Sequence, residues 1–283
     1  MVVLYAVLAV ASIGVAIGTR SLVSSRLRLQ VNAWWIIFPI VSLSLVLYPL
    51  GPLLLVCMIG IIALHELSSA TMPQNGHFYI ECLTILCLTV IFVLVAPKVV
   101  DLALPLIIAA QFFFYIQQKN PRHLPLFLFF IRCYGLSFII RLAHLSDASE
   151  ANIAWLFFLF VVTALNDIGQ FLAGTVFGRH KIAPRISPNK TWEGLAGGIF
   201  VSIAVAGILG TYLQLEVVGP LALYAILLSI GGFAGDLMFS AAKRRFNIKD
   251  FSSMIPGHGG ILDRVDSLVL TAPLLYFALT LSH

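Results

Sequence analysis

SAAKRRFNIKDFSSMIPGHGGILDRVDS, residues 240–267, sets five basic residues, three acidic residues, one histidine and three glycines in a chain that is 60% hydrophobic and only 10% charged. A membrane-embedded chain keeps that much charge only where water or an ionic ligand meets it. The block therefore marks the polar end of an apolar bundle. A similar one, NDIGQFLAGTVFGRHKIAPRISPNKTWEG, runs from 166 to 194.

Mean hydropathy is +1.01, which leaves no material for a water-soluble surface. Apolar stretches suited to spanning helices, each needing roughly 20 residues, run over about 2–19, 34–48, 53–65, 79–96, 102–118, 123–143, 152–166, 194–213, 217–239 and 268–282. The expected fold is an all-α, polytopic transmembrane helical bundle of about ten spans with a polar, cytoplasm-facing cleft. The pair flanking Pro49-Leu50-Gly51-Pro52 is short enough for the 34–65 region to count as fewer than two spans. A cleaved signal is the other reading of the first stretch, but Arg20, Arg26 and Arg28 follow the apolar run instead of preceding it. The cysteines, Cys57, Cys82, Cys87 and Cys133, fall inside spans without metal-ligand spacing and read as small core residues.

Charge orients the bundle, because short cytoplasmic loops collect Lys and Arg. With ten spans, one side carries Arg20, Arg26, Arg28, Lys119, Arg122, Arg179, Lys181, Arg185, Lys190, Lys243, Arg244, Arg245, Lys249 and Arg264. The other side holds Lys98 and Arg141, and Arg132 lies within a span. Both polar blocks are thus expected in the cytoplasm and both termini outside, in a multi-pass protein of the inner membrane if bacterial. The same rule accounts for most of the net charge of +5; attraction to anionic headgroups is an addition, and nucleic-acid binding is not required. The chain divides into N-terminal transmembrane helices, 1–150, and a catalytic transmembrane region, 151–283. Two spans separate the polar blocks, so they can face each other across one cleft.

In the first block Asp167 is expected to end an apolar helix, and Gly169, Gly174 and Gly178 permit close helix approach, a packing role. Ser187-Pro188-Asn189-Lys190-Thr191-Trp192-Glu193 has the look of a helix entry with Ser, Asn or Thr as cap. Free N–H groups beside Lys190 would suit a phosphate, although a cap without ligand has the same sequence.

In the second block Asp236 is expected deep at a helix end, where a carboxylate demands a cation. Gly257, Gly259 and Gly260 make a turn whose N–H groups can approach phosphate oxygens. Asp263 and Asp266, three apart, share one helical face. Magnesium held by Asp236, Asp263 and Asp266 would relieve their repulsion; salt bridges to Lys243, Arg244 or Arg264 are the competing account. His258 can serve as base, phosphate donor or turn residue, and donation to phosphate is favoured. Arg132 and the pair His65-Glu66 sit in or beside spans, with a bundle bond or a substrate role both open.

The stretch from Ser240 through Lys243-Arg244, Lys249-Asp250, Pro256-Gly257-His258-Gly259-Gly260 and Asp263-Arg264-Val265-Asp266 resembles the signature of the phosphatidate cytidylyltransferases, or CDP-diacylglycerol synthases. Ser187 to Gly194 is similar to a second segment of that family. Two positions depart from its usual pattern: Phe239 stands in place of an acidic residue, and Phe171 in place of a tyrosine. The resemblance implies transfer of a cytidylyl group from CTP to phosphatidate, giving CDP-diacylglycerol and pyrophosphate. It also implies Mg²⁺, with room for a second cation.

In this reading Asp236, Asp263 and Asp266 hold metal; Lys243, Arg244, Lys249, Asp250, His258 and Arg264 serve catalysis; and Ser187, Asn189, Lys190, Thr191, Gly257, Gly259 and Gly260 bind substrate. CTP and membrane-borne phosphatidate are the partners, and a symmetric homodimer is the default expectation for an oligomer. The alternatives are a paralogue with another lipid phosphate or weakened activity, kept open by Phe239, and a transporter. A transporter predicts broken helices in symmetric halves, whereas here charge gathers at one face and neither block recurs.

Overall fold

The computed structural model describes residues 22–72, 76–99, 101, 123–215, 218–252 and 259–282, with isolated positions 5, 9 and 12. The expected span at 102–118, nearly all of that at 2–19, and the site candidates Gly257 and His258 lie outside the described residues. The helices are α1 (Leu22–Val46), α2 (Leu50–Thr71), α3 (Gly76–Val95), α4 (His123–Leu142), α5 (Ser149–Val176), α6 (Trp192–Leu213), α7 (Val218–Arg245), the one-turn α8 (Leu262–Val265) and α9 (Leu268–Ser282). Two short antiparallel strands, β1 (Lys181–Ala183) and β2 (Ser187–Thr191), form a hairpin between α5 and α6. Seven helical segments among the described residues are long and apolar enough to cross a membrane. The chain is an integral membrane protein of all-α class, with that hairpin as its one sheet among the described residues.

Helix α4 lies at the centre, packed by α2, α3 and α9, while α5–α6, α6–α7 and α7–α9 are neighbouring pairs. Its Phe129, Phe138, Ile139 and Leu142 are wholly enclosed, which an apolar helix achieves when protein surrounds it on all sides. Contact with α9 is close at Gly135: a Cβ there would stand 2.1 Å from the Val269 carbonyl oxygen. Such backbone approach replaces the hydrophobic drive that lipid cannot supply between helices.

Several helix ends differ from the sequence expectation, always by extension. Helix α1 begins at Leu22, so Arg26 and Arg28 lie in it and not in a loop; nothing from Leu22 to Phe38 is Gly or Pro, and Arg, Leu and Gln are good helix formers. Helix α5 continues past Asp167 to Val176, and α7 past Asp236 to Arg245. Both aspartates therefore project from within helices instead of ending them. Hydropathy marks where the apolar run stops, but backbone hydrogen bonding continues as long as the polar face has partners.

A further correction concerns the helix entry at 187–193. Ser187 and Asn189 are on β2, and the cap is Thr191 alone, whose Oγ1 accepts from Gly194 N at 3.0 Å. Pairing of β2 with β1 takes up the backbone that a longer helix start would have left open.

Candidate active site

The two polar blocks meet. The α5–α6 connection carries the β hairpin, the α7–α9 connection carries residues 246–261, and Arg244 joins them by donating from Nε to the Ile186 carbonyl at 3.2 Å. Deeper in, Lys190 on β2 reaches α7, where its Nζ stands 2.6 Å from Asp236 Oδ2, and it also donates to Gln170 Oε1 on α5 at 3.2 Å. Ser267 is the hub of this half: its hydroxyl lies 2.8 Å from Asp167 Oδ2 and 3.0 Å from Asp236 Oδ1. Since a hydroxyl has one proton, it donates to one carboxylate at a time. Two carboxylates from different helices thus share one neutral neighbour, and one of them, Asp236, also holds the Lys190 ammonium.

The second half centres on Lys243. Its Nζ donates to Asp263 Oδ1 at 2.7 Å and to Asp266 Oδ2 at 3.3 Å, which follows from the one-turn spacing of the two acids. Asp266 accepts further from Arg132 Nη2 at 2.9 Å, with the two side chains 3% and 1% exposed. Removing Asp266 from so buried a pair costs about 3–5 kcal/mol, because the Arg132 charge is stranded, whereas removing Arg132 leaves Asp266 with Lys243. Phe239, fully buried, lies under the Arg132 guanidinium at 3.9 Å, and Phe251 flanks it at 4.9 Å. The ring that stands in place of an acid thus makes a cation–π contact with this arginine. Phe171, the other departure, is exposed.

The described part of the glycine segment, Gly259 and Gly260, is held by Asp263. Asp263 Oδ2 accepts from Gly260 N at 2.9 Å and Phe251 N at 3.3 Å. Gly259 has φ +77°, the left-handed region that favours glycine. Lys249, Asp250 and Arg264 are exposed. Asn189 is exposed on β2, Ser187 is half-buried there, and Thr191 is buried in its capping role.

Among the described residues no three carboxylate, imidazole or thiolate groups gather as a ready metal cage. The acids instead fall into pairs, Asp167 with Asp236 about Ser267, and Asp263 with Asp266 about Lys243. Hard oxygen donors in pairs suit Mg²⁺, which is bound by one or two carboxylates plus substrate phosphates and water more often than by an all-protein cage.

Asp167, Gln170 and Ser267 belong to this cluster and are not among the site residues read from sequence; Arg132 and Glu66, read there as open between two roles, prove to bond its members. A charged residue inside an apolar span was the available signal for Asp167, Arg132 and Glu66. Gln170 and Ser267 carry no such mark.

Residues 28–282 match the profile of the cytidylyltransferase family. The chain is 41% identical over 141 residues to a phosphatidate cytidylyltransferase of Bacillus subtilis, covering 49% of this chain and 52% of that protein. It is 39% identical over 130 residues to a phosphatidate cytidylyltransferase of Staphylococcus aureus, covering 46% and 50%. It is 43% identical over 120 residues to the uncharacterized protein YnbB of Escherichia coli, covering 42% and 40%. The aligned part thus spans about half the length of these relatives. With its profile match running nearly end to end, the chain belongs to the cytidylyltransferase family.

Proposed function

We propose that this protein transfers the cytidylyl group of CTP to phosphatidate, forming CDP-diacylglycerol and pyrophosphate. One observation carries the reading: bases and acids from both polar blocks converge at one end of an apolar bundle, as two polyanionic substrates would require. Family membership and the names of the Bacillus and Staphylococcus relatives support the choice of nucleotide and lipid.

In this reaction a phosphate oxygen of phosphatidate attacks the α-phosphorus of CTP. The bond from that phosphorus to the bridging oxygen breaks, and pyrophosphate leaves with the electron pair. The attacking oxygen is already anionic at neutral pH, so little general-base help is needed; mutual repulsion of the substrates is the main barrier. Positioning and electrostatic stabilisation then supply the catalysis. Lys190 and Lys243 neutralise phosphate charge, assisted by the exposed Arg244, Lys249 and Arg264. Asp250 orients its basic neighbours.

Asp236 paired with Asp167, and Asp263 paired with Asp266, would hold Mg²⁺, with one or two carboxylates to an ion. When bound, the metal would screen the triphosphate and stabilise the departing pyrophosphate. The cleft opens to the cytoplasm, CTP enters from water, and the lipid tails stay in the bilayer.

Phe239 favours a second reading, a relative acting on another lipid phosphate, because its ring occupies the place of an acid beside Arg132. Purified protein in detergent with labelled CTP, Mg²⁺ and a panel of lipid phosphates separates the two. Label is expected in lipid, with one pyrophosphate per transfer, for phosphatidate above all others. Transfer to a different lipid phosphate alone supports the second reading, and no transfer to any overturns both.

A further inference from the structure

Glu66 lies on α2 and is 1% exposed. Its Oε1 accepts from Ser252 Oγ at 2.6 Å and Ile261 N at 3.0 Å, and its Oε2 accepts from Leu262 N at 2.9 Å. These donors flank the glycine turn and are nearly two hundred residues away in sequence. A buried carboxylate is costly unless its lone pairs are filled, and three donors fill them here.

Asp263 holds the same segment from within it, through Gly260 N and Phe251 N, and points its other oxygen at Lys243. Two acids thus divide the polar hydrogens of one turn. Gly260 is pressed against Glu66: a Cβ there would stand 2.5 Å from Oε2 and 2.8 Å from both Oε1 and Cδ. The direction of Asp263 is therefore set by where Glu66 holds the turn.

We infer that Glu66 is a positioning residue for the transfer reaction, anchoring the Gly259–Leu262 segment so that Asp263 and Lys243 face the substrate phosphates; this rests on the function proposed above. Asp250 lies against Gly259, where a Cβ would stand 3.2 Å from the Asp250 Cβ, and it is exposed, as are Lys249 and Arg264. The effect should therefore fall on the water-borne nucleotide and spare the lipid.

The test is Glu66→Gln in purified protein. The side chain keeps its shape but turns an NH₂ toward donors that need an acceptor. The KM for CTP is expected to rise about 10-fold and kcat/KM to fall about 100-fold, as misplacement by an ångström would cause, with the KM for phosphatidate unchanged. A merely structural role would lower the folded fraction and leave both KM values at wild type, and that result overturns the inference.

Gly260→Ala displaces the turn from the other side and is expected to give the same CTP-specific shift. Combined with Glu66→Ala, which opens the space the new Cβ needs, it should add no further loss. Multiplying effects would contradict the inference. Equilibrium binding of CTP without lipid makes the comparison independent of turnover: about 10-fold weaker binding in Glu66→Gln supports it, and equal binding overturns it. Wild-type protein that binds CTP but transfers nothing would sink the proposed reaction while leaving Glu66 to be decided by binding.

Discussion

Asp263→Asn and Asp266→Asn are each expected to abolish turnover, by about 10³-fold or more, in protein that still inserts into the membrane. Each change removes one negative charge from the pair that Lys243 bridges. An amide is a poor partner for both an ammonium and a hard cation. The fold should survive Asp263→Asn, because the amide oxygen can still accept from Gly260 N and Phe251 N, the bonds that hold the turn. Asp266→Asn strands a share of the Arg132 charge and should also lower the melting temperature in detergent. The two variants thus separate chemistry from stability. Steady-state rates with CTP and phosphatidate are the measurement, and wild-type rates in both would reject the role assigned to this pair.

Lys190→Met is expected to reduce kcat/KM for CTP by about 10²- to 10³-fold. It removes an ammonium 2.6 Å from Asp236 and 3.2 Å from Gln170. Methionine retains the apolar stem beside the Phe233 ring, over which Nζ lies at 5.2 Å. Asp236 then keeps Ser267 as its hydrogen-bond neighbour but loses this cation. Lys190→Arg should recover the loss only in part, since a planar fork does not reproduce a compact ammonium facing one carboxylate oxygen. The same rate assay checks both, and unaltered kcat/KM in Lys190→Met would remove Lys190 from the phosphate-binding set.

Much of the bundle is legible in hydropathy, because each span must fill its own backbone hydrogen bonds within the bilayer. Helix ends are less so: α5 and α7 run on through Asp167 and Asp236, whose partners Ser267 and Lys190 come from elsewhere in the chain. The capping role of Thr191 was hidden among three residues of suitable type, and strand pairing with 181–183 decided among them. Lys243 and the aspartates at 263 and 266 are near in sequence, and one-turn spacing put both acids within its reach. Arg132 and Glu66 announce themselves as charges in apolar helices, but their bonds to Asp266 and to the residues just before Asp263 span 134 to 196 positions of the chain. Such pairings are tertiary facts that local pattern does not encode.

The proposed transfer requires that one cleft, built from both polar segments, receive the triphosphate. The decisive measurement is a structure of the protein with Mg²⁺ and a CTP analogue whose α–β bridge resists cleavage. The triphosphate is expected between Lys190 and Lys243, with metal density at Asp236, Asp263 or Asp266. Nucleotide bound away from both segments, with the lysine–aspartate pairs undisturbed, would contradict this expectation.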